Sequence, residues 1–388
     1  MSNVGAAERG AETRRLATKV VHEVGAGART ATSLHAVLRD ASLEPRDNAF
    51  VTELAHGTVR MQRACDMFID KHTQRSPDAE VRALLRIGVY QLVFLGTPPH
   101  AAVSATVAAA RPKVRGFVNA ILRRVAEEVA AGGDWPTIGD ELSYPDWLID
   151  AFIADLGEDD AIDALAAMNN AEQPEARTDG YVQGGSSRAV VAEVAARAGE
   201  LVLDLCAAPG GKTTGIAGQG AFTAGLERAP VRIEQLATTC SRFGNDNAVA
   251  VLGDAIQAPF REGIADRVLL DAPCSGWGAL GRRSDARWRV KPADASRLAR
   301  TQQSMLASAA HLVKPGGLLV YSVCTTSIIE TTAVADQFTA SNDLFTTEGL
   351  VDTDFWREYG TGGLVLPQDH GTDGMAVFRW RRAHPESA

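Results

Sequence analysis

With 388 residues and a hydrophobic share of 45%, the chain is too long for one ordinary domain and apolar enough for two or three folded cores. Its net charge of −9 argues against a protein that coats nucleic acid without specificity. The stretch MSNVGAAERGAETRR has no apolar signal segment, and no apolar run in the chain reaches the length of a membrane span. The five cysteines are scattered and fit reduced thiols. We therefore expect a cytoplasmic protein without a membrane or metal partner.

The first third of the chain has helical periodicity. In EVRALLRIGVYQLVFLG the apolar residues fall on one helical stripe, and Pro98 and Pro99 mark the start of a further helix. The pattern predicts an all-helical domain, which ends near the break AAGGDWPTIGD. We place this domain at residues 1–135, a linker with a connecting helix at 136–185, and a second domain at 186–388.

The second domain alternates strands with helices. The apolar runs LVLDLCA, AFTAGLE, RVLLDAPC and GLLVYSVC are separated by helical segments, a pattern typical of a parallel sheet covered on both faces. Ligands of such sheets bind at the carboxyl ends of the strands. The polar residues at these ends are therefore site candidates: Asp204 to Lys212, Glu227, Asp254, Asp271 to Cys274, and Ser322 to Thr325.

The stretch LVLDLCAAPGGKTTGIA reads as a strand, a glycine turn and the start of a helix. It is not a phosphate-binding P-loop, because Cys206 stands where that motif requires glycine, and the dinucleotide pattern GxGxxG is absent. A nucleoside-type ligand fits better. Glu227 follows in the next strand and can hold ribose hydroxyls, while Asp254 can receive an adenine amino group. This order of acids favours S-adenosylmethionine as the cofactor.

A basic island lies at Gly281–Arg300, shortly after Cys274. Such a run can bind phosphate, or it can be a solvated surface. Its position beside a candidate site favours the first interpretation. The candidate RNA-binding residues are Arg282, Arg283, Arg287 and Arg289.

Three motifs, DLCAAPGGKTT, DAPCSGxGxxxRxxDxxW and YSxCT, in this order, resemble the Sun/Fmu-type bacterial ribosomal RNA 5-methylcytosine methyltransferases. The helical part, with RDNAFVTELAHGTVR and VRGFVNAILRRV, resembles the NusB-type RNA-binding domain of these enzymes. The tail GLVLPQDHGTDGMAVFRWRR resembles their closing β-hairpin. The resemblance implies an all-α NusB-like domain followed by an α/β, Rossmann-like methyltransferase domain with a mostly parallel sheet and an antiparallel hairpin.

The implied reaction explains why two cysteines stand at strand ends. Carbon 5 of cytosine becomes nucleophilic once a thiolate adds to carbon 6, and the thiolate must later be expelled. The chemistry alone leaves open which cysteine attacks. The DNA cytosine methyltransferases use a Pro-Cys, which would nominate Cys274, whereas the RNA family uses the cysteine of the later motif, which nominates Cys324.

Carried over by position, Cys324 is the nucleophile, Cys274 assists product release, and Asp271 borders both cofactor and base. Lys212 is a nearby cation that can favour a thiolate. Cys65, Cys206 and Cys240 are expected to be structural thiols, Cys206 within the cofactor turn. The expected cofactor contacts are Cys206, Ala207, Ala208, Pro209, Gly210, Gly211, Lys212, Glu227, Arg232, Asp254 and Asp271.

The sequence departs from the family pattern at several positions. Glu227 stands where the family usually has Asp, Val323 replaces Thr before the nucleophile, and SIIE replaces Pro-Glu-Glu after it. Between Asn170 and Tyr181 there is no room for the family's small RNA-contacting subdomain. We expect a monomeric enzyme that methylates carbon 5 of a cytosine in RNA, with 16S ribosomal RNA as the first candidate. The alternatives are a transfer RNA substrate, or an RNA-binding assembly factor with a degenerate catalytic domain.

Overall fold

The computed structural model describes residues 3–170 and 174–384, and the chain divides into two units. The first, here the helical unit, comprises the residues up to Ile149 together with Arg283–Arg289. The second, here the sheet unit, comprises Asp150–Arg282 and the residues from Val290 onward. A short segment from the second half of the sequence thus belongs to the helical unit. The domain boundaries expected at 135 and 185 stay predictions.

Helices account for most of the first half of the chain and alternate with strands in the second. In chain order they are α1 (Asn3–Gly25), α2 (Thr30–Arg39), α3 (Pro45–Arg60), α4 (Gln62–His72), α5 (Ala79–Val93), α6 (Pro99–Ala109), α7 (Arg115–Ala130), α8 (Ile138–Leu142), α9 (Asp146–Leu156), α10 (Glu158–Ala167), α11 (Gly185–Val194), α12 (Gly211–Ala217), α13 (Pro230–Phe243), α14 (Ala286–Arg289), α15 (Pro292–Leu312), α16 (Thr332–Ser341) and α17 (Pro367–His370). Short 3₁₀ turns occur at Pro112–Val114, Trp277–Ala279 and Ile328–Glu330.

The helical unit is built around α5, which packs against α1, α3, α4, α6 and α7. Most residues of α5 are buried, as its apolar sequence requires. Two glycines allow the close approach of its neighbours. A Cβ atom at Gly57 would lie 2.0 Å from the hydroxyl oxygen of Tyr90, and one at Gly88 would lie 2.6 Å from Leu122. α6 begins at Pro99, as the two prolines predict.

The strands are β1 (Glu175–Ala176), β2 (Val182–Gln183), β3 (Leu201–Asp204), β4 (Phe222–Glu227), β5 (Ala248–Leu252), β6 (Ala265–Asp271), β7 (Val313–Val323), β8 (Phe345–Thr347), β9 (Arg357–Tyr359), β10 (Gly362–Val365) and β11 (Met375–Arg382). β1 and β2 form a separate hairpin. The large sheet has the order β5-β4-β3-β6-β7-β11-β10-β9, with β8 paired to β11. β3 to β7 are parallel to one another, and β8 to β11 add antiparallel pairs.

Both faces of the sheet are covered, because side chains of the parallel strands alternate between two cores. Leu203 and Leu270 lie in one core with residues of α15 and α16. Val202 and Leu269 lie in the other with residues of α11 and α12. This burial on two faces explains the nearly continuous apolar runs of the sequence.

The predicted fold class, helices first and then a mostly parallel sheet closed by an antiparallel pair, is confirmed. No helix within the described ranges is both long and apolar enough to cross a membrane.

Candidate active site

Cys274 and Cys324 meet at the carboxyl edge of the sheet. β6 and β7 are parallel neighbours with Asp271 opposite Ser322, so the loops that follow these strands leave the sheet side by side. The two Sγ atoms are 3.3 Å apart. The loops are also joined by the backbone, since the N–H of Gly278 donates to the carbonyl oxygen of Cys324 at 3.2 Å. The structure therefore brings together the two motifs that the sequence singled out.

Lys212 and Asp271 form an ion pair in the same region. The Lys212 Nζ donates to Oδ2 of Asp271 at 2.8 Å, and the hydroxyl of Ser322 donates to Oδ1 at 2.9 Å. Burial lowers the pKa of Lys212, but attraction to Asp271, their hydrogen bond and attraction to Cys324 outweigh it and raise the pKa overall. Lys212 is thus a cation at neutral pH, and the same attraction stabilises a thiolate at Cys324.

The Cys274 thiol holds its proton tightly. Its hydrogen bond to Cys324 raises the pKa of Cys274 most, burial adds to this, and the negative charges of Cys324, Glu330 and Asp271 act in the same direction. Either sulfur can donate in this contact, and a thiol that keeps its proton makes Cys274 suited to donate its S–H to Cys324.

Cys206 to Lys212 form a tight turn between β3 and α12. Gly210 has φ of +110°, and a Cβ atom there would lie 2.9 Å from Thr239. At Gly211 a Cβ atom would lie 2.8 Å from the ring of Tyr181. Only glycine fits both positions. Within the same turn, the N–H of Gly210 donates to the carbonyl of Ala207, and the Ala208–Pro209 peptide bond is cis.

Asp204 lies beneath this turn at the end of β3. Its Oδ2 accepts a hydrogen bond from the Thr213 hydroxyl at 2.7 Å. Burial raises the pKa of Asp204 to about 6, although the hydrogen bond from Thr213 acts to lower it. The Cys206 thiol is half-buried, and burial raises its pKa. The Thr213 hydrogen bond thus joins the end of β3 to the first turn of α12.

One further acid, Glu227, ends β4, and another, Asp254, follows β5. Glu227 is buried; its Oε1 accepts from the N–H of Ala229 at 2.8 Å, and its Oε2 lies 3.3 Å from Nη1 of Arg232. Asp254 accepts from the N–H of Ile256 at 3.0 Å, and its other oxygen lies 3.6 Å from Arg228.

The strand order places these acids and Asp271 along one edge of the sheet, on both sides of the glycine turn. Carboxylates at such positions can accept hydrogen bonds from the hydroxyl and amino groups of a nucleoside. The residues thus fit the cofactor that the sequence favours.

The sequence did not identify the β1–β2 hairpin as part of the site. Arg177 donates to the carbonyl of Gly211 at 2.7 Å and to the hydroxyl of Thr214 at 2.9 Å. Its guanidinium lies 4.7 Å from the ring centroid of Tyr181, which in turn packs against Gly211. The sequence signal that could have revealed the hairpin is the Asp-Gly pair at Asp179, because this pair commonly forms hairpin turns. It lies within the segment that the sequence analysis assigned to the linker.

The four arginines proposed to bind RNA lie in different environments. Arg282 pairs with Asp373, and Arg289 pairs with Asp285 at 2.8 Å. Arg283 is exposed. Arg287 is fully buried in the helical unit, where it donates to the carbonyls of Arg60 and Ser143. Burial lowers the pKa of Arg287 to about 10. Its environment is that of a packing residue, and RNA binding by the other three stays a prediction.

The described ranges contain no group of three or more His, Cys, Asp or Glu side chains arranged to hold a metal ion. All five cysteines are free thiols.

Two family profiles match separate parts of the chain. A profile described as 16S rRNA methyltransferase RsmB/F matches residues 191–380, and a NusB family profile matches residues 11–127. The ribosomal RNA small subunit methyltransferase B of Thermus thermophilus is 32% identical, over 96% of this chain and 98% of its own. The protein of the same description from Pasteurella multocida is 27% identical, over 95% and 96%. The crystal structure of PH0851 shares the fold, with a TM-score of 0.74, 21% identity, and 96% of this chain and 99% of that chain covered.

Proposed function

The chain belongs to the ribosomal RNA small subunit methyltransferase B family, and from this we propose that it methylates carbon 5 of a cytosine in 16S ribosomal RNA with S-adenosylmethionine. The observation that carries the proposal is the thiol pair, Cys274 Sγ 3.3 Å from Cys324 Sγ. A single buried cysteine at a strand end is commonly structural. Two cysteines in contact beside a lysine–aspartate pair fit covalent catalysis on a pyrimidine.

Cys324 is the attacking group in this proposal. Its thiolate forms a bond to carbon 6 of cytosine, and the electrons of the carbon 5–carbon 6 double bond make carbon 5 nucleophilic. Lys212, whose charge acts on Cys324, favours the thiolate. Asp271 can hydrogen-bond the edge of the base and so favour protonation of the ring nitrogen during attack.

Bound S-adenosylmethionine supplies the methyl group on a positively charged sulfur, and carbon 5 takes it. The carbon 5 proton then passes to water, its electron pair restores the carbon 5–carbon 6 double bond, and the sulfur–carbon 6 bond breaks with its electrons on Cys324. The Cys274 thiol, which holds its proton, stabilises the departing thiolate by donating a hydrogen bond to it. Cys274 thereby assists release.

The cofactor would be held by the turn from Cys206 to Lys212 and by the strand-end acids. Glu227 would hold the ribose, Asp254 the adenine, and Asp271 would border cofactor and base. Arg232, which lies beside Glu227, would complete this group. We further propose that the helical unit binds RNA and that the protein acts as a cytoplasmic monomer without a metal.

A methyl-transfer assay tests the proposal. Purified protein with radiolabelled S-adenosylmethionine is given unmodified 16S ribosomal RNA, and in parallel unmodified transfer RNA, and the product is mapped by bisulfite sequencing. We expect one new 5-methylcytosine in the ribosomal RNA and none with Cys324→Ala. Label confined to transfer RNA would make transfer RNA the substrate in place of 16S ribosomal RNA. No methyl transfer to either RNA would favour the non-catalytic assembly factor.

A further inference from the structure

Two buried side chains hold the backbone on both sides of Cys274. The Nε2 of Gln302, on α15, donates to the carbonyl oxygen of Pro273 at 3.0 Å. The Oε1 of Glu330 accepts from the N–H of Ser275 at 2.9 Å. The residues immediately before and after the cysteine are thus each fixed by one side chain.

These two side chains also hold each other. Nε2 of Gln302 donates to Oε1 of Glu330 at 2.9 Å. The Tyr321 hydroxyl lies 2.7 Å from the carbonyl oxygen of Glu330 and 3.1 Å from Oε1 of Gln302. All three residues are fully buried. A network without access to water keeps its geometry, because its members have no alternative partners.

The network also reaches the loop of the second cysteine. The hydroxyls of Ser275 and Thr325 are 3.0 Å apart, so the residue after Cys274 contacts the residue after Cys324. Burial raises the pKa of Glu330, and its hydrogen bonds with Ser275 and Gln302 act against this effect. Glu330 is therefore joined directly to the Cys274 loop and, through Ser275, to the Cys324 loop.

We propose that Glu330 and Gln302 are positioning residues that hold Cys274 against Cys324 and thereby set the rate at which the methylated base is released. Neither side chain touches the reacting atoms in this account. Both act through the backbone of residues 273–275. The inference rests on the proposed function, since release from Cys324 is a step of that reaction.

Burial alone does not account for a carboxylate at this position. The Oε2 atom of Glu330 is buried and has no hydrogen-bond partner within the described residues, which is a cost that an apolar side chain would not carry. What glutamate supplies is an acceptor for the Ser275 N–H and for Gln302 at the same point. Glutamine retains such an acceptor, whereas alanine does not.

The experiment compares Glu330→Ala, Glu330→Gln and a matched control, Glu193→Ala. Glu193 is also a fully buried glutamate of the sheet unit, and it also accepts from backbone N–H groups, those of Val351 and Asp352. Each protein is mixed with unmodified 16S ribosomal RNA and S-adenosylmethionine. The covalent protein–RNA complex is quantified on denaturing gels, and methyl transfer is followed in a single turnover.

We expect Glu330→Ala to transfer the methyl group but to release RNA slower by on the order of tenfold to a hundredfold, as small misplacements of a reacting group do. The covalent complex should then accumulate, as with Cys274→Ala. Glu330→Gln should behave like the unsubstituted protein, and Glu193→Ala should lose stability without accumulating the complex. If Glu330→Ala does not fold, Gln302→Met, which removes the donor to Pro273, takes its place. We expect the covalent complex to accumulate with Gln302→Met as well.

Accumulation with Cys274→Ala but not with Glu330→Ala or Gln302→Met would overturn the inference and leave the proposed function intact. Equal accumulation with Glu193→Ala would reduce Glu330 to a structural role. No covalent complex with any variant, Cys274→Ala included, would count against the proposed function itself.

Discussion

The guanidinium of Arg287 lies 3.8 Å from the ring centroid of Tyr144, within the helical unit. Both side chains are fully buried. The neighbouring Trp288 donates from its indole to the carbonyl of Val59 at 2.7 Å. The segment Arg283–Arg289, which follows the Cys274 loop in sequence, is therefore packed within the helical unit. Arg287 is a fully buried side chain of this segment.

This placement separates two arginines that the sequence treated alike. Arg283→Ala should lower the slope of log affinity for RNA against log salt by about 0.7–0.9, the contribution of one phosphate contact, and should leave thermal stability unchanged. Arg287→Ala should instead lower the free energy of unfolding by about 1–3 kcal/mol, because the carbonyls of Arg60 and Ser143 lose a donor. Anisotropy titrations at several salt concentrations and thermal melts measure both. An unchanged slope for Arg283→Ala would show that Arg283 is a solvated surface residue that makes no phosphate contact.

Charge runs in a sequence do not reveal which of their members is buried. The stretch GRRSDARWR has the composition of an exposed basic surface, yet Ser284 to Arg287 are buried in the helical unit. The partners that bury them, such as Tyr144 and Val59, lie far away in sequence. Tertiary contacts of this kind leave no local pattern in the sequence. The phosphate-binding interpretation therefore depended only on how close the basic island lies to Cys274 in sequence.

The strand-end positions were predictable for a physical reason. Parallel strands share a carboxyl edge, so locating the strands sufficed to bring Cys274, Cys324, Lys212 and Asp271 to one edge. Family membership and fold class, which were predicted from the same motifs, are confirmed. The network of Glu330, Gln302 and Tyr321 could not be predicted, because it joins three elements through side chains that look ordinary in sequence.

The β1–β2 hairpin should matter for cofactor binding. Arg177→Ala removes the donors to Gly211 and Thr214, and we expect affinity for S-adenosylmethionine to fall by about tenfold as the turn loses support. Arg261→Ala is the control, since Arg261 is an exposed arginine of the sheet unit outside the hairpin. Isothermal titration calorimetry measures both. Equal affinities of the two variants would remove the hairpin from the site.

Asp254 should contribute directly to cofactor binding. Asp254→Ala should weaken binding of S-adenosylmethionine by about 1–3 kcal/mol, the cost of leaving a polar partner unpaired. Glu262→Ala, which removes an exposed acid after β5, is the control for the change in charge. Calorimetry that finds the same affinity for Asp254→Ala as for the control would exclude Asp254 from the cofactor site.

Asp204 should make stability depend on pH. Its pKa in the folded protein is about 6, above the ordinary value near 4. Between these values the folded state binds more protons than the unfolded state, so stability falls as pH rises from about 4 to about 6. The loss is on the order of 3 kcal/mol. In denaturant titrations across this window, Asp204→Asn should lose less stability than the unsubstituted protein. Parallel curves for the two proteins would contradict the assignment.

In the proposed reaction Cys324 forms the bond to carbon 6 and Cys274 assists release. With Cys324→Ala no thiolate reaches carbon 6, so methylation and covalent attachment should both be absent. With Cys274→Ala attack and methyl transfer proceed, but the departing thiolate lacks the S–H donor that lies 3.3 Å away, so release should be slow.

Denaturing gel electrophoresis of Cys274→Ala after incubation with unmodified 16S ribosomal RNA and S-adenosylmethionine tests this assignment most directly. We expect a protein–RNA complex that survives denaturation with Cys274→Ala and is absent with Cys324→Ala. A complex on Cys324→Ala and none on Cys274→Ala would exchange the two roles. Full activity of both variants, without a complex on either, would contradict covalent catalysis by this pair.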